Sequence, residues 1–488
     1  MSVVAAFAVP HPPMIVPQVG RGSEKSIAET ISAYKKVAEM ISRIAPDTIV
    51  LSSPHSVMYA DYFHISPGES GLGDFGSFGA AEVKTQVTYD EEFVSALCSE
   101  AELSGLSAGT LGERDKRLDH GSMVPLYFIL QKYTDFRFVR IGLSGLPMEE
   151  HYRMGMAIGQ VAKTLGRKTV YIASGDLSHK LKEEGPYGFD PAGPEYDERI
   201  MDVLGRGAFD ELFRFDEHFL EKAAECGHRS FVMMAGALDR KKVTCSKLSH
   251  QDVTGVGYGI CSFLVEEQEG LQEERGFLDL WEQQEDARRR ENRKSEDCYV
   301  RLARKSLEQY ILTGSVLTSG EGIEYLKQLA GQPEETTMEK EAILEQAEHL
   351  CGEKAGAFVS LHKQGQLRGC IGTIGPVRET LAEEIIENAV SAAVHDSRFL
   401  PVEKEELPLL EYSVDVLGQI EPVESTDQLD VKRYGVIVSK GGRRGLLLPN
   451  LEGVDSVDTQ IAIAKRKGGI GENERDYTLE RFEVVRHY

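Results

Sequence analysis

Cysteine and tryptophan are scarce in this sequence: seven cysteines and one tryptophan in 488 residues. The cysteines (Cys98, Cys226, Cys245, Cys261, Cys298, Cys351 and Cys370) form no CxxC pair and are odd in number. That argues against a secreted disulfide framework and for a reducing, cytoplasmic compartment. Cations are short as well. Lys plus Arg total 55 against 79 Asp plus Glu, a net charge of -24, so the clustered positive charge that nucleic acid or an anionic membrane requires is not expected. No run of about 18 apolar residues occurs, so no membrane span is expected. The apolar stretch Val3–Val9 is not read as a signal peptide, because no Lys or Arg precedes it and Pro10-His11-Pro12-Pro13 interrupts it.

What is present suits a soluble globular chain: 41% hydrophobic and 27% charged residues. At about 100–200 residues per domain, the length predicts two to four domains. Two globular parts, 1–265 and 298–488, flank a linker at 266–297 that holds 12 acidic and 6 basic residues. The linker reads as an exposed helix or a loose tether, with Phe277, Leu278, Leu280 and Trp281 docking it on one neighbour.

In the first part, strand signals at Val3–Val9, Asp47–Ser52, Phe136–Leu143 and Lys168–Ala173 are spaced by helical periodicity at Ser23–Ile44, Asp90–Glu102, Ser122–Gln131 and Glu149–Leu165. Further helices (Glu198–Leu204, Arg229–Leu238) precede strands at Val243–Ser249 and Gly257–Val265. The alternation predicts an α/β layered domain. In the second part, helices at Cys298–Leu312, Lys340–Leu350, Val377–Val394 and Asp455–Lys465 mix with strands at Ala357–Lys363, Glu411–Leu417, Val436–Ser439 and Gly445–Leu448, an α+β pattern.

Four histidines share a context. His11 follows the first strand in AVPHPPMIVP, His55 follows the second in VLSSPHS, and His179 follows another in YIASGDLSH. His120, in LDHGSMVP, stands at a helix start. Ligands bind beyond the C-terminal ends of strands in open α/β sheets. If these strands are parallel neighbours, the imidazoles share one crevice. Imidazole nitrogens suit Fe, Zn, Cu or Ni, and two histidines with one carboxylate are the usual frame for non-haem Fe(II). Glu225, in AAECGHRSF, is the carboxylate candidate, with Cys226 and His228 as adjacent alternatives. Asp119 and Asp176 are read as turn residues or as partners that orient the imidazoles.

Together, His11, SPHS, LDHG and SGDLSH resemble the B subunit of class III extradiol ring-cleavage dioxygenases over most of 1–265. The resemblance implies an α/β/α domain of that type and one Fe(II), with His11, His55 and Glu225 as ligands. It implies His179 as the acid/base histidine and His120 as an assistant in proton or dioxygen handling. A neutral imidazole near pH 7 can take a phenolic proton. The segment Glu225-Cys226-Gly227-His228 is also similar to that of Memo proteins, in which a cysteine stands near the carboxylate position. A cysteine ligand favours Cu(I), Zn or a redox role.

The second part resembles the AMMECR family through LRGCIG (367–372), the DSRF segment, YSVDVL and RRGLLLP. Cys370 beside Arg368, with His395 and Asp396, forms a conceivable nucleophilic set, although a cysteine between glycines on an apolar strand is usually a core residue. Both halves in one chain resemble a fused member of the AmmeMemoRadiSam group. That implies a shared pathway with a radical SAM protein, a modification or redox conversion, and names no substrate; the dioxygenase-like half is expected to take a small-molecule substrate, and a homo-oligomer is left open. Gly71–Gly76 fits GxGxxG without a strand-to-helix setting and is read as a loop.

Overall fold

The computed structural model describes residues 2–113, 116–266, 270, 272–331, 337–363, 365–451 and 453–488. The chain divides into two units, Met1–Gln284 and Glu285–Tyr488. The division falls within the segment 266–297, of which residues 267–269 and 271 lie outside the described residues. A 3-10 turn, Glu273–Arg275, and a helix, Phe277–Ser295, make up most of the rest of it. In the first unit Phe277 and Leu278 are buried and Trp281 stacks on Phe213. Among the described residues, no helix is long and apolar enough to cross a membrane.

In chain order, the elements of the first unit that position the site are β1 (Val3–Val9), α1 (Ala28–Ile44), β2 (Thr48–Ser53), β3 (Ser70–Phe75), β4 (Ala80–Thr88), α2 (His120–Ile129), β5 (Arg137–Gly142), α3 (Met148–Thr164), β6 (Thr169–Ser174), α4 (His228–Ala237), β7 (Val243–Gln251) and β8 (Tyr258–Val265). Six strands form one sheet in the order β5-β2-β6-β1-β8-β7. β6 lies between β1 and β2, parallel to both, and β5 is parallel to β2. The last hairpin, β7–β8, joins antiparallel.

The strand period of two explains the layers. Ala5, Phe7, Val9, Ile49, Leu51, Val170 and Ile172 pack into one core with α1 and α2. Ala6, Ala8, Val50, Tyr171 and Ala173 pack into another with α3 and α4. Both faces are buried, which is why these strands read as unbroken apolar runs. Each buried large side chain contributes about 1.5–3 kcal/mol. Glycine lets α3 and α4 touch backbone to backbone: a Cβ at Gly155 of α3 would lie 2.0 Å from Met233 O, and one at Gly236 of α4 would lie 2.0 Å from Tyr152 O.

The expected α/β layered class holds for this unit, with two corrections. The helix expected from Ser23 is a 3-10 turn over Ser23–Ile27 and α-helical only from Ala28. The Gly71–Gly76 string is not a loop. Gly71 to Phe75 belong to β3, paired antiparallel with β4. Its glycines allow contact: a Cβ at Gly73 would meet Met123 Sδ at 2.5 Å. A three-residue 3-10 turn, Gly76–Phe78, follows β3 in place of the α-helix whose N-terminus would cradle a phosphate.

The second unit is α+β, as expected. Helices Cys298–Thr313, Ser319–Ala330, Thr337–Gly352 and Leu381–Val394 share a core with the sheet of Gln366–Gly372, Ala357–Lys363, Leu410–Leu417 and Val484–His487. A second sheet (Glu421–Val423, Thr478–Phe482, Gly435–Lys440, Arg443–Leu447) packs on helix Val457–Lys467. The helix expected from Val377 begins at Leu381, because the Glu384 carboxylate accepts the Val377 and Arg378 N–H groups at 3.0 Å each and holds that segment out of the helix. Helix Ser319–Ala330 was not expected from periodicity; the Thr318–Glu321 capping box was its sequence signal.

Candidate metal centre

The condition set by the sequence is met in the sheet: β1, β6 and β2 are parallel neighbours, so the segments after them converge. His11 Nε2 lies 3.0 Å from His55 Nε2. The His120 ring, at the first turn of α2, stands 4.0 Å from the His55 ring and 5.4 Å from that of His11. Asp119 caps α2 by accepting the Ser122 N–H at 3.0 Å. It also accepts the Ser53 hydroxyl at 2.6 Å, and Ser53 Oγ in turn accepts the His55 N–H at 3.2 Å. Asp176, beyond β6, accepts the His11 backbone N–H at 2.7 Å. The turn residues of the sequence are therefore braces for the histidine-bearing backbone.

His179 also reaches this neighbourhood and lowers the basicity of both His11 and His55. Its Nδ1 donates to the Ala224 carbonyl at 2.6 Å, and its ring abuts Tyr187 edge-on. A carbonyl only accepts, so the proton sits on Nδ1 and Nε2 is left as the basic nitrogen.

The three candidates for a third ligand differ in direction. The chain leaves helix Glu217–Ala223 through Ala224, at φ 51°. Glu225 Oε2 then accepts the His228 N–H at 2.5 Å, bracing the start of α4. The His228 ring is buried and bonds Leu212 O at 2.9 Å. Cys226 Sγ lies 3.6 Å from His11 Nε2 and accepts the Asp176 N–H at 3.3 Å. Among the described residues, the group whose donor atoms lie within 4.8 Å of one another is His11, His55 and Cys226; Glu225 is not in it.

Electrostatics suit a cation. Burial, then the neighbouring imidazoles, holds His11 well below the usual 6.5. His55 is pushed down to about 4 by withdrawal from water and then by His120. Burial also lowers His120 and His179, so near neutrality all four present lone pairs. Burial pushes the Cys226 thiol well up and raises Asp176 to about 7. The interior is thus short of positive charge, and a metal ion would supply it and deprotonate the thiol. Two imidazoles and a thiol match the donor preferences of Zn, Cu and Fe. The residues fit a metal.

Beside His55 and His120 opens a cleft of about 770 Å³, lined also by Asp74, Phe78, Arg117 and Met123. That volume is in the range of small-molecule sites. Arg140 on β5 also borders it, fully buried, donating to Ser66 Oγ at 2.7 Å and Arg117 O at 2.8 Å and pairing with Glu113 at 2.5 Å. Neither Phe78 nor Arg140 was singled out in the sequence. Phe78 carried no signal; an arginine inside the apolar run FVRIG did, since a buried charge needs partners.

In the second unit LRGCIG is an edge strand. The Asp396 carboxylate accepts the Cys370 N–H at 2.9 Å, and Arg398 donates to Cys370 O at 3.3 Å, so one ion pair covers the edge. The Arg368 guanidinium is held by Glu406 at 2.8 Å. Burial raises the Cys370 thiol, the opposite of an activated thiolate. A Cβ at Gly369 would lie 2.1 Å from Ala392 O, which explains that glycine.

An α/β/α domain with a mostly parallel sheet thus gathers imidazoles and a thiol at its strand ends. The chain belongs to the family described as the catalytic LigB subunit of aromatic ring-opening dioxygenase, which matches residues 5–261; residues 300–487 match the AMMECR1 family. A protein of Clostridium acetobutylicum is 39% identical over 495 residues, covering 100% of this chain and 99% of that protein. A protein of Thermotoga maritima is 45% identical over 193 residues, 39% of this chain and 98% of its own length. The 2-aminophenol 1,6-dioxygenase beta subunit of a Pseudomonas species is 24% identical over 285 residues, 53% of this chain and 92% of that subunit.

Proposed function

We propose that the first unit is a metal-binding or redox module of the extradiol-dioxygenase fold that holds one metal ion through His11, His55 and Cys226 and acts on a small molecule in the adjoining cleft. The observation that carries this reading is the 3.6 Å approach of Cys226 Sγ to His11 Nε2, with Glu225 turned to the His228 N–H. A thiolate in the donor set supports Cu(I) or Zn, as in a Memo-like module. When bound, the metal would supply a Lewis acid or an electron-transfer centre.

The chain's own residues do the rest. His11 and His55 offer neutral nitrogens. His179, its Nδ1–H committed to Ala224 O, keeps Nε2 basic and takes a proton from an acidic hydroxyl of the substrate. His120 and Phe78, with ring centroids 5.4 Å apart, wall the cleft and orient a ligand there. The AMMECR1 half and the resemblance to the AmmeMemoRadiSam group support a radical SAM protein as the partner in a cytoplasmic pathway.

A second reading, Fe(II)-dependent extradiol cleavage of a catechol-like substrate with Glu225 as the third ligand, is favoured by the family match and by the likeness to the aminophenol dioxygenase subunit. Elemental analysis separates the two. Chain purified anaerobically without chelator should hold about one metal ion, kept in Glu225→Gln and lost in Cys226→Ser. Iron lost in Glu225→Gln but kept in Cys226→Ser, with catechol-dependent oxygen uptake, would overturn the first reading in favour of the second.

A further inference from the structure

Resting on the reading of His11 as a metal ligand, we infer that Ser174 is a positioning residue that presets His11 as an Nε2 donor, and that Pro125 commits Ser174 to this role. Ser174 is the last residue of β6 and is fully buried. Its Oγ makes two contacts: 2.6 Å to the Gly121 carbonyl oxygen and 2.9 Å to His11 Nδ1. A hydroxyl has one hydrogen to give. Gly121 O cannot donate, so at 2.6 Å the hydrogen lies on that contact. Ser174 Oγ must then accept from His11, and the His11 proton is on Nδ1.

Pro125 explains why Gly121 O requires this hydrogen. In an α-helix the carbonyl of residue 121 is paired by the N–H of residue 125. Residue 125 of α2 is proline, which has no N–H. The Ser174 hydroxyl fills the place of the missing helical donor. Gly121 itself lets the start of α2 lie against the end of β2, since a Cβ there would meet Ser53 Oγ at 2.4 Å. The LDHG glycine and the proline four residues on are therefore part of one device, together with the strand-end serine.

The consequence is an asymmetry between the two imidazoles. His11 Nε2 is bare before any metal arrives, and it faces His55 Nε2 at 3.0 Å and Cys226 Sγ at 3.6 Å. Two bare nitrogens 3.0 Å apart repel, so in the metal-free chain the hydrogen of that contact is on His55 Nε2. Metal uptake then has to move one tautomeric proton, on His55, and none on His11. Second partners of this kind hold the tautomer and orientation of a ligating imidazole, and their loss lowers metal affinity by about 10- to 100-fold.

The test is long-range 15N–1H NMR of the metal-free, 15N-histidine-labelled full chain, with Zn²⁺ affinity measured by chelator competition. In the wild type, His11 should carry its proton on Nδ1, with Nε2 unprotonated. In Ser174→Ala the His11 signal should move to a mixture of tautomers, and Zn²⁺ affinity should fall by about 10- to 100-fold. A wild-type His11 protonated on Nε2 would overturn the inference, as would a Ser174→Ala chain with unchanged tautomer and affinity. If Ser174→Ala does not fold, the wild-type spectrum decides alone. A wild-type chain with the Nδ1–H signal that takes up no Zn²⁺ would overturn the metal reading and leave the tautomer assignment standing.

Discussion

The thiol of Cys226 meets Nε2 of His11 at 3.6 Å, although 215 residues of chain separate the two. The backbone between Ser174 and His179 makes the connection. Asp176 donates its N–H to Cys226 Sγ at 3.3 Å and takes the His11 N–H on its carboxylate at 2.7 Å. One aspartate thereby ties β1, β6 and the loop before α4 to a single point.

Asp176→Ala should destabilise the chain by about 1–3 kcal/mol, because it leaves the buried His11 N–H without an acceptor. Asp176→Asn keeps an acceptor oxygen and should lose less. Urea unfolding midpoints check both; equal losses would show that the side chain's contact with the His11 N–H does not matter.

Gly155→Ala should cost about 1–3 kcal/mol through overpacking. Its Cβ would lie 2.0 Å from Met233 O, so α3 and α4 would have to separate. Since α4 begins two residues after Cys226, metal content should fall together with thermal stability. A chain that tolerates alanine here with an unchanged melting temperature would contradict the close crossing.

Asp396 confers an acid-sensitive element on the second unit. Hydrogen bonds from Arg398 hold its carboxyl down to about 2 from the usual 3.8. A depressed folded-state pKa means that the stabilisation is fully present above about 3.8 and is lost as pH falls toward 2. Unfolding curves taken from neutral pH down to about 2 should show this acid limb, and Asp396→Asn should flatten it. An acid limb identical in the variant would assign it to other carboxylates.

Alkylation should discriminate among the cysteines. Cys351 is exposed, whereas burial raises the Cys370 thiol. Iodoacetamide at neutral pH should label Cys351 first and Cys370 late, as read by peptide mass spectrometry. Rapid labelling of Cys370 would revive a nucleophilic role for LRGCIG.

Much of this was written locally in the chain. The apolar runs of β1, β2 and β6 and the histidines just past two of them depend on neighbours in sequence, and burial on both faces made the runs unmistakable. The hairpin β3–β4 was missed because its glycines, which allow packing against Leu118 and Met123, weaken any alternating apolar signal. The late strands Thr478–Phe482 and Val484–His487 were missed because they are short and charged.

The sequence by itself determined two domains, their classes, their family resemblances and a set of strand-end histidines, since each of these follows from periodicity or from contiguous motifs. Only the tertiary structure decided that β6 lies between β1 and β2, that Ser174 and Gly121 O share a hydrogen bond, and that of the adjacent Glu225 and Cys226 it is the cysteine that faces His11. Adjacent side chains in an irregular turn point in directions set by where the backbone leaves one helix and enters the next, and that path is settled by packing between elements far apart in sequence.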